Sequence, residues 1–228
     1  VTYLVGSQSI EIVTRSSSRI FGQSDIAFGD AVNDVSFDVT DPQSGERYRL
    51  GISRYPVDGV PLTYTRIGNY LHNSADGPAL DGDNFVFGIS TDGADVPKTG
   101  SATYSTSYLG AVSDTSDPKN TTVYIADNTS GSASFTADFL AGRVTTTIDL
   151  NNAKQWMDLG GVKSFGILSG TGLIVSNSPA FDGTFTNADI PGEFHGAFFG
   201  PQAVEMGLNF QATGRDFQAG GWVVGRKN

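Results

Sequence analysis

Three side chains in the last quarter of the chain have the types and spacing for acid–base chemistry: Glu193, His195 and Glu205. In an extended strand residues two apart share a face, so Glu193 and His195 point the same way. Glu205 lies beyond a bend at Gly200-Pro201 and can approach them from a neighbouring strand. Two carboxylates beside an imidazole can relay a proton or hold a metal ion. The polar outer face of an antiparallel barrel has the same composition, and that reading requires no chemistry. A second cluster, Asp76, Asp81 and Asp83 with Gly77 and Gly82, offers the hard oxygen ligands that calcium takes. Its spacing fits neither the EF-hand loop nor the glycine-rich nonapeptide repeat, which favours a solvated acidic loop. The sequence holds no Gly-x-Ser-x-Gly elbow, phosphate loop or dinucleotide fingerprint. With no cysteine, thiolate nucleophiles, thiolate metal sites and disulfide scaffolds are excluded. Asn120-Thr121-Thr122 and Asn128-Thr129-Ser130 match glycosylation sequons and read as loop composition.

The elements that position these residues follow from period-two alternation. Before the bend, Phe194, Gly196 and Phe198 alternate with Glu193, His195 and Ala197; after it, Val204, Met206, Leu208 and Phe210 alternate with Ala203, Glu205, Gly207 and Asn209. Pro201 has no N–H to donate, so the ladder stops there. Gly200 joins the two strands directly before it, and Gly200→Val is expected to cost about 1–3 kcal/mol. Twenty-nine glycines, 11% aromatic residues and almost no helical periodicity favour short strands joined by tight turns. The formal charge of −10, without a Lys/Arg cluster, disfavours nucleic acid and anionic lipid.

From residue 100 onward the alternation gives eight antiparallel strands, for which a sandwich and a closed eight-stranded antiparallel β-barrel stay equally open. The strands fall near 100–111, 131–139, 142–150, 162–169, 171–176 or 180–186, 191–199, 203–212 and 219–226, with 121–125 as a further candidate. Eight strands leave an interior that side chains can fill, and Phe135, Phe139, Ile148, Phe165, Phe185, Phe198, Phe210 and Trp222 are the expected filling. Residues 151–157 read as one short helical turn. The opposite faces carry Ser134, Thr136, Asp138, Thr145, Thr147 and Asp149, which argues against a membrane-spanning barrel. Residues 1–98 form a less regular β-rich domain. Asp41 to Gly45 makes a turn, residues 62–71 the clearest strand, and residues 73–84 a polar loop. Val1 to Val5 lacks the basic start of a secretory leader, so any leader or lipid-bearing cysteine is expected outside this sequence.

Several runs resemble those of the transferrin-binding protein B-like surface lipoproteins of Gram-negative bacteria. Residues 196–210 resemble that family's Gly-x-Phe-Tyr-Gly-Pro-x-Ala-x-Glu-x-Gly-Gly-x-Phe signature through Gly196, Phe198, Gly200, Pro201, Glu205, Gly207 and Phe210. Phe199 stands where tyrosine is usual, and Leu208 replaces the second glycine. Phe87-Gly88-Ile89, followed by Val96 to Tyr104, resembles the handle-to-barrel junction with its Pro-x-Thr-Gly-x-Ala-x-Tyr run. Ala133 to Phe139 before Gly142-Arg143-Val144-Thr145 is a third match.

The resemblance decides for the barrel: it implies a small β-rich handle domain at 1–98 and an eight-stranded antiparallel β-barrel at 99–228. It implies a non-enzymatic binding protein, exposed on the outer membrane or secreted, that captures a host protein, haem or another solute. No resident cofactor is implied; if haem is the cargo, His72 at the end of a handle strand is the expected iron ligand, with Tyr64 and Tyr70 as walls. The competing reading is a carbohydrate-active β-sandwich enzyme or lectin. Glu193 and Glu205 in a deep cleft would favour the enzyme, and a convex wall the binding protein.

Overall fold

The computed structural model describes residues 2–4, 9–13, 18–29, 34–77, 79–117, 119–156 and 160–228. Among them the regular elements are strands, apart from two single 3-10 turns at Gln23–Asp25 and Pro201–Ala203. Contacts divide the chain into two units, Val1–Arg54 with Arg66–Phe87 and Tyr55–Thr65 with Gly88–Asn228. The sequence suggests one cut at 98/99, whereas the contact division crosses the chain three times.

In the first unit, β1 (Thr2–Leu4), β2 (Ser9–Val13) and β3 (Ser18–Phe21) form one antiparallel sheet. A second sheet takes β4 (Ile26–Gly29), β5 (Val35–Thr40) and β6 (Arg47–Ser53). After the β7–β8 hairpin (Pro56–Val57, Val60–Pro61) it adds β9 (Thr65–Asn73) and β10 (Ala79–Gly88), in the order β10-β9-β6-β5-β4. The turn between β5 and β6 forms as expected: the Asp41 carboxylate accepts from the amides of Gln43 (2.8 Å) and Ser44 (3.1 Å). Ile12, Phe21, Phe37, Leu50, Ile52 and Tyr70 form the core of this unit. The polar run 73–84 is only partly a loop, because β10 starts at Ala79 and carries Asp81 and Asp83.

The second unit contains β11 (Ser101–Asp114), β12 (Thr122–Asp127), β13 (Ala133–Asp138), β14 (Arg143–Asp149), β15 (Ala153–Gln155), β16 (Val162–Lys163), β17 (Ile167–Ile174), β18 (Ala180–Phe185), β19 (Gly192–Phe199), β20 (Glu205–Gly214) and β21 (Phe217–Lys227). Eight of these close an antiparallel barrel in the order β13-β14-β17-β18-β19-β20-β21-β11, and β11 returns to β13 from Ser101↔Asp138 to Tyr104↔Phe135. Closure removes the sandwich alternative. The C-terminal half of β11 runs past β13 and pairs instead with β12, which carries β15 and β16 as a three-stranded extension.

Two strand expectations change here. Residues 167–174 are one barrel strand and 180–185 the next, while Val162–Lys163 belongs to the extension. The expected helical turn at 151–157 is a turn followed by β15, whose Ala153 is fully buried; Met157 lies outside the described residues.

Inside the barrel, aromatic rings meet one another. Tyr104 and Phe135 have centroids 5.5 Å apart, and Phe181 lies 5.1 Å from both Phe135 and Phe198. Such pairs add about 0.5–1.5 kcal/mol each beyond the area they bury. Phe194 reaches the interior because Gly183 leaves room for it: a Cβ there would sit 2.2 Å from its Cζ. The outer wall is polar along one continuous cross-strand row, Thr103, Thr136, Thr145, Thr171, Thr184, Glu193 and Gln211. Water rather than hydrocarbon suits such a wall. Trp222 departs from the expected filling: it points outward, with Tyr55 edge-on at 4.6 Å, and is still only 4% exposed.

Candidate functional site

Glu205 and His195 end in opposite environments. Met206, Leu208 and Phe210 point into the barrel, so alternation turns Glu205 to the outer wall, yet it is only 2% exposed. The segment 55–65 covers it. Its carboxylate accepts hydrogen bonds from the amides of Thr63 (2.7 Å), Tyr64 (2.9 Å) and Thr65 (2.9 Å), and from Thr65 Oγ1 (2.9 Å). Consecutive amides converging on one anion make a backbone nest, and each bond is charge-assisted. The same segment is held elsewhere along the wall. Ser107 Oγ donates to the Pro56 carbonyl (2.8 Å), and the Arg226 guanidinium donates to that of Pro61 (2.9 Å).

The bend completes the attachment. Gly200 N donates to the Ile89 carbonyl (2.8 Å), and Thr91 Oγ1 donates to the Gly200 carbonyl (2.6 Å). Gly200 has φ +69° and ψ 178°, and its α-carbon faces the Tyr64 ring. Of the signature residues, Glu205 therefore fastens the covering strap to the barrel, and Gly200 holds the segment 89–91 beside it. Sequence reading missed the strap, although Asp58-Gly59 between two Val/Pro pairs is a hairpin signal. Both residues have positive φ, 51° and 77°.

His195 stands on the open wall, 61% exposed at its side chain. Its Nδ1 is 2.6 Å from Asp182 Oδ1 on β18, and its Nε2 is 3.6 Å from Glu193 Oε1. Gln211 donates to the same Glu193 oxygen (2.5 Å). The proposed trio thus separates: Glu193 and His195 share the outer surface, and Glu205 is sealed beneath the strap. Among the described residues no group of three His, Asp or Glu side chains is arranged to hold a metal ion.

The hydrogen bond to Asp182, with Glu193 adding a smaller contribution, raises the imidazolium above the ordinary histidine range. A raised value favours the folded state at low pH, and that contribution fades as pH rises through the folded-state value. An NMR titration should place His195 above an unstructured histidine, and Asp182→Asn should bring it down. An unmoved midpoint in that variant would assign the shift to something else.

The three residues expected around a haem are distributed between the two units. Tyr64 belongs to the strap. Tyr70 is 1% exposed in the core of the first unit, 6.4 Å edge-on from Phe21. His72, 8% exposed, lies flat on Tyr48 with centroids 4.3 Å apart. Its Nε2 lies 3.3 Å from Glu46 Oε2, an ion-pair distance when the imidazole is protonated. Glu46 accepts from the Tyr48 hydroxyl (2.9 Å), which with His72 holds its carboxyl below the usual range. Asp81 and Asp83 sit two apart on β10, and Asp76 lies in the preceding turn.

Residues 96–227 match the family model for the C-lobe and N-lobe β-barrels of Tf-binding protein B. A Tyr/Trp double mutant of transferrin-binding protein B from Haemophilus parasuis Hp5 is similar in structure, with a TM-score of 0.57 and 16% identity over 92% of this chain and 39% of that one. The isotype 1 protein from serogroup B Neisseria meningitidis gives 0.51 and 15% over 88% and 36%. The chain thus spans about two-fifths of the length of these relatives. No curated protein matches it.

Proposed function

Because the chain belongs to the transferrin-binding protein B β-barrel family, we propose that it is a binding protein of a Gram-negative cell surface that docks a host iron-carrying protein. The observation that carries this reading is the filled barrel. Tyr108, Phe135, Phe181, Phe194 and Phe198 are all at most 1% exposed, so aromatic side chains occupy the interior of an eight-stranded barrel, which favours a cargo met on outer surfaces. The separation of Glu205 from His195 removes the constellation that favoured catalysis. The names of the similar structures supply the class of partner, transferrin first.

The test is surface plasmon resonance on the immobilised chain, with host transferrin and haemoglobin as analytes. Saturable binding of one of them is expected. Binding of neither, together with a saturable Soret shift on haemin titration that His72→Ala abolishes, would replace this reading with haem capture. Binding of neither and no such shift would overturn it outright.

A further inference from the structure

The extension beside the barrel has two unlike faces. Ala126 and Ala153 are fully buried on the inner face, where Tyr124 packs on Phe165. Alternation and register turn the other set outward: Val123 and Ile125 on β12, Lys154 and then Trp156 at the end of β15, and Val162 on β16. Ile125, Lys154 and Val162 form one cross-strand row, and Trp156 N donates to the Val123 carbonyl (2.8 Å) beside it. Trp156 is 58% exposed and Val162 63%, where the chain's other tryptophan is 4% exposed. Tryptophan is among the residues that dominate interface hot spots, and here it stands exposed within an apolar patch.

The charge on this face indicates what covers it. Lys154 sits in the middle of the outward row, and among the described residues its ammonium contacts the Thr129 hydroxyl (2.9 Å) and no carboxylate. Asp127, farther along the same face, is occupied by Thr129 in its own turn. A second copy meeting this face two-fold would set another Lys154 against the first, which is locally repulsive. A partner presenting an apolar ridge flanked by a carboxylate would bury the tryptophan and pair the lysine in one contact.

We propose that the outward face of β12, β15 and β16, centred on Trp156 and Lys154, is the docking surface for an acidic, apolar-ridged face of the host protein. This rests on the function proposed above and names the surface that would carry it. The full chain and its Trp156→Ser, Val162→Ser and Lys154→Glu variants are compared by surface plasmon resonance against transferrin and haemoglobin, with circular dichroism melts as the folding control. Expected is a loss of affinity of about 10–100-fold for Trp156→Ser. A smaller loss is expected for Lys154→Glu, felt mainly in the association rate and diminishing with salt. All three variants should melt like the parent.

Undiminished binding by Trp156→Ser and Lys154→Glu would overturn the surface and leave the proposed function standing. Binding of neither protein by the parent would overturn both. A dimer in sedimentation that Trp156→Ser dissociates would assign the face to self-association instead, and attachment to neutral phosphatidylcholine vesicles that the same variant loses would assign it to a membrane.

Discussion

Replacing Glu205 by alanine is expected to destabilise the barrel unit by about 3–5 kcal/mol, the range for removing one partner of a buried charged cluster. The size follows from what is left behind. The carboxylate takes four hydrogen bonds, three of them from the successive amides of residues 63–65. Without it, the amides of residues 63–65 all lose this shared acceptor, and Thr65 is fully buried, out of reach of bulk water. Glu205→Gln keeps one oxygen but aims an NH2 at the same donors, so its loss should fall between those of alanine and the parent. Urea denaturation followed by Trp222 fluorescence in a Trp156→Phe background gives the energy. Hydrogen exchange at residues 63–65 gives the local effect, and protection there should drop even where the barrel stays folded. A midpoint shift worth less than about 0.5 kcal/mol, the scale of ordinary surface substitutions, with unchanged exchange, would show that the strap is held by its other contacts alone.

Gly200→Val is expected to cost about 3–5 kcal/mol, more than a turn glycine usually loses. Its backbone angles fall in a region that essentially only glycine occupies, which is about 1–3 kcal/mol of strain for any side chain. An added Cβ would also lie 2.4 Å from the Tyr64 ring, and overpacking of that kind costs a further 1–3 kcal/mol or so. The two causes separate in a double-mutant cycle. Gly200→Ala in a Tyr64→Ala background should recover the clash but not the strain. Full recovery would mean that the backbone strain is negligible, and no recovery that the ring simply moves aside.

The sequence reveals the barrel more readily than its attachments, for a physical reason. Strands β19 and β20 are legible because each has one apolar and one polar side, and their period-two pattern states which residues face inward. That logic fails at Trp222 and Glu205. Both lie on the outer side of their strands, and both are buried by a segment about 140 to 170 residues earlier in the chain, which no local window contains. The reverse error occurs at 151–157, where asparagines before Trp156 look like a helix cap, but the free edge of β12 is available and the backbone pairs with it. His72 and Tyr70 share a face of β9, as alternation implies. Whether that face meets water or core depends on Phe21 and Tyr48 from other strands.

The way the barrel closes also sets the order in which it can be made. Strand β11 is gripped on one side by β21, through pairs such as Ser107↔Val224, and on the other by β13. The first contact spans more than one hundred residues of sequence and the second about thirty. The meander from β13 to β21 can zip hairpin by hairpin, but the seam with β11 forms only after all of it is present. Loop-closure entropy is then the dominant barrier, which places folding among the slow, high-contact-order β proteins, in milliseconds to seconds. Until the seam closes, the aromatic faces of the open sheet remain accessible. A chain in that condition exposes the apolar faces and unpaired strand edges that a holdase binds.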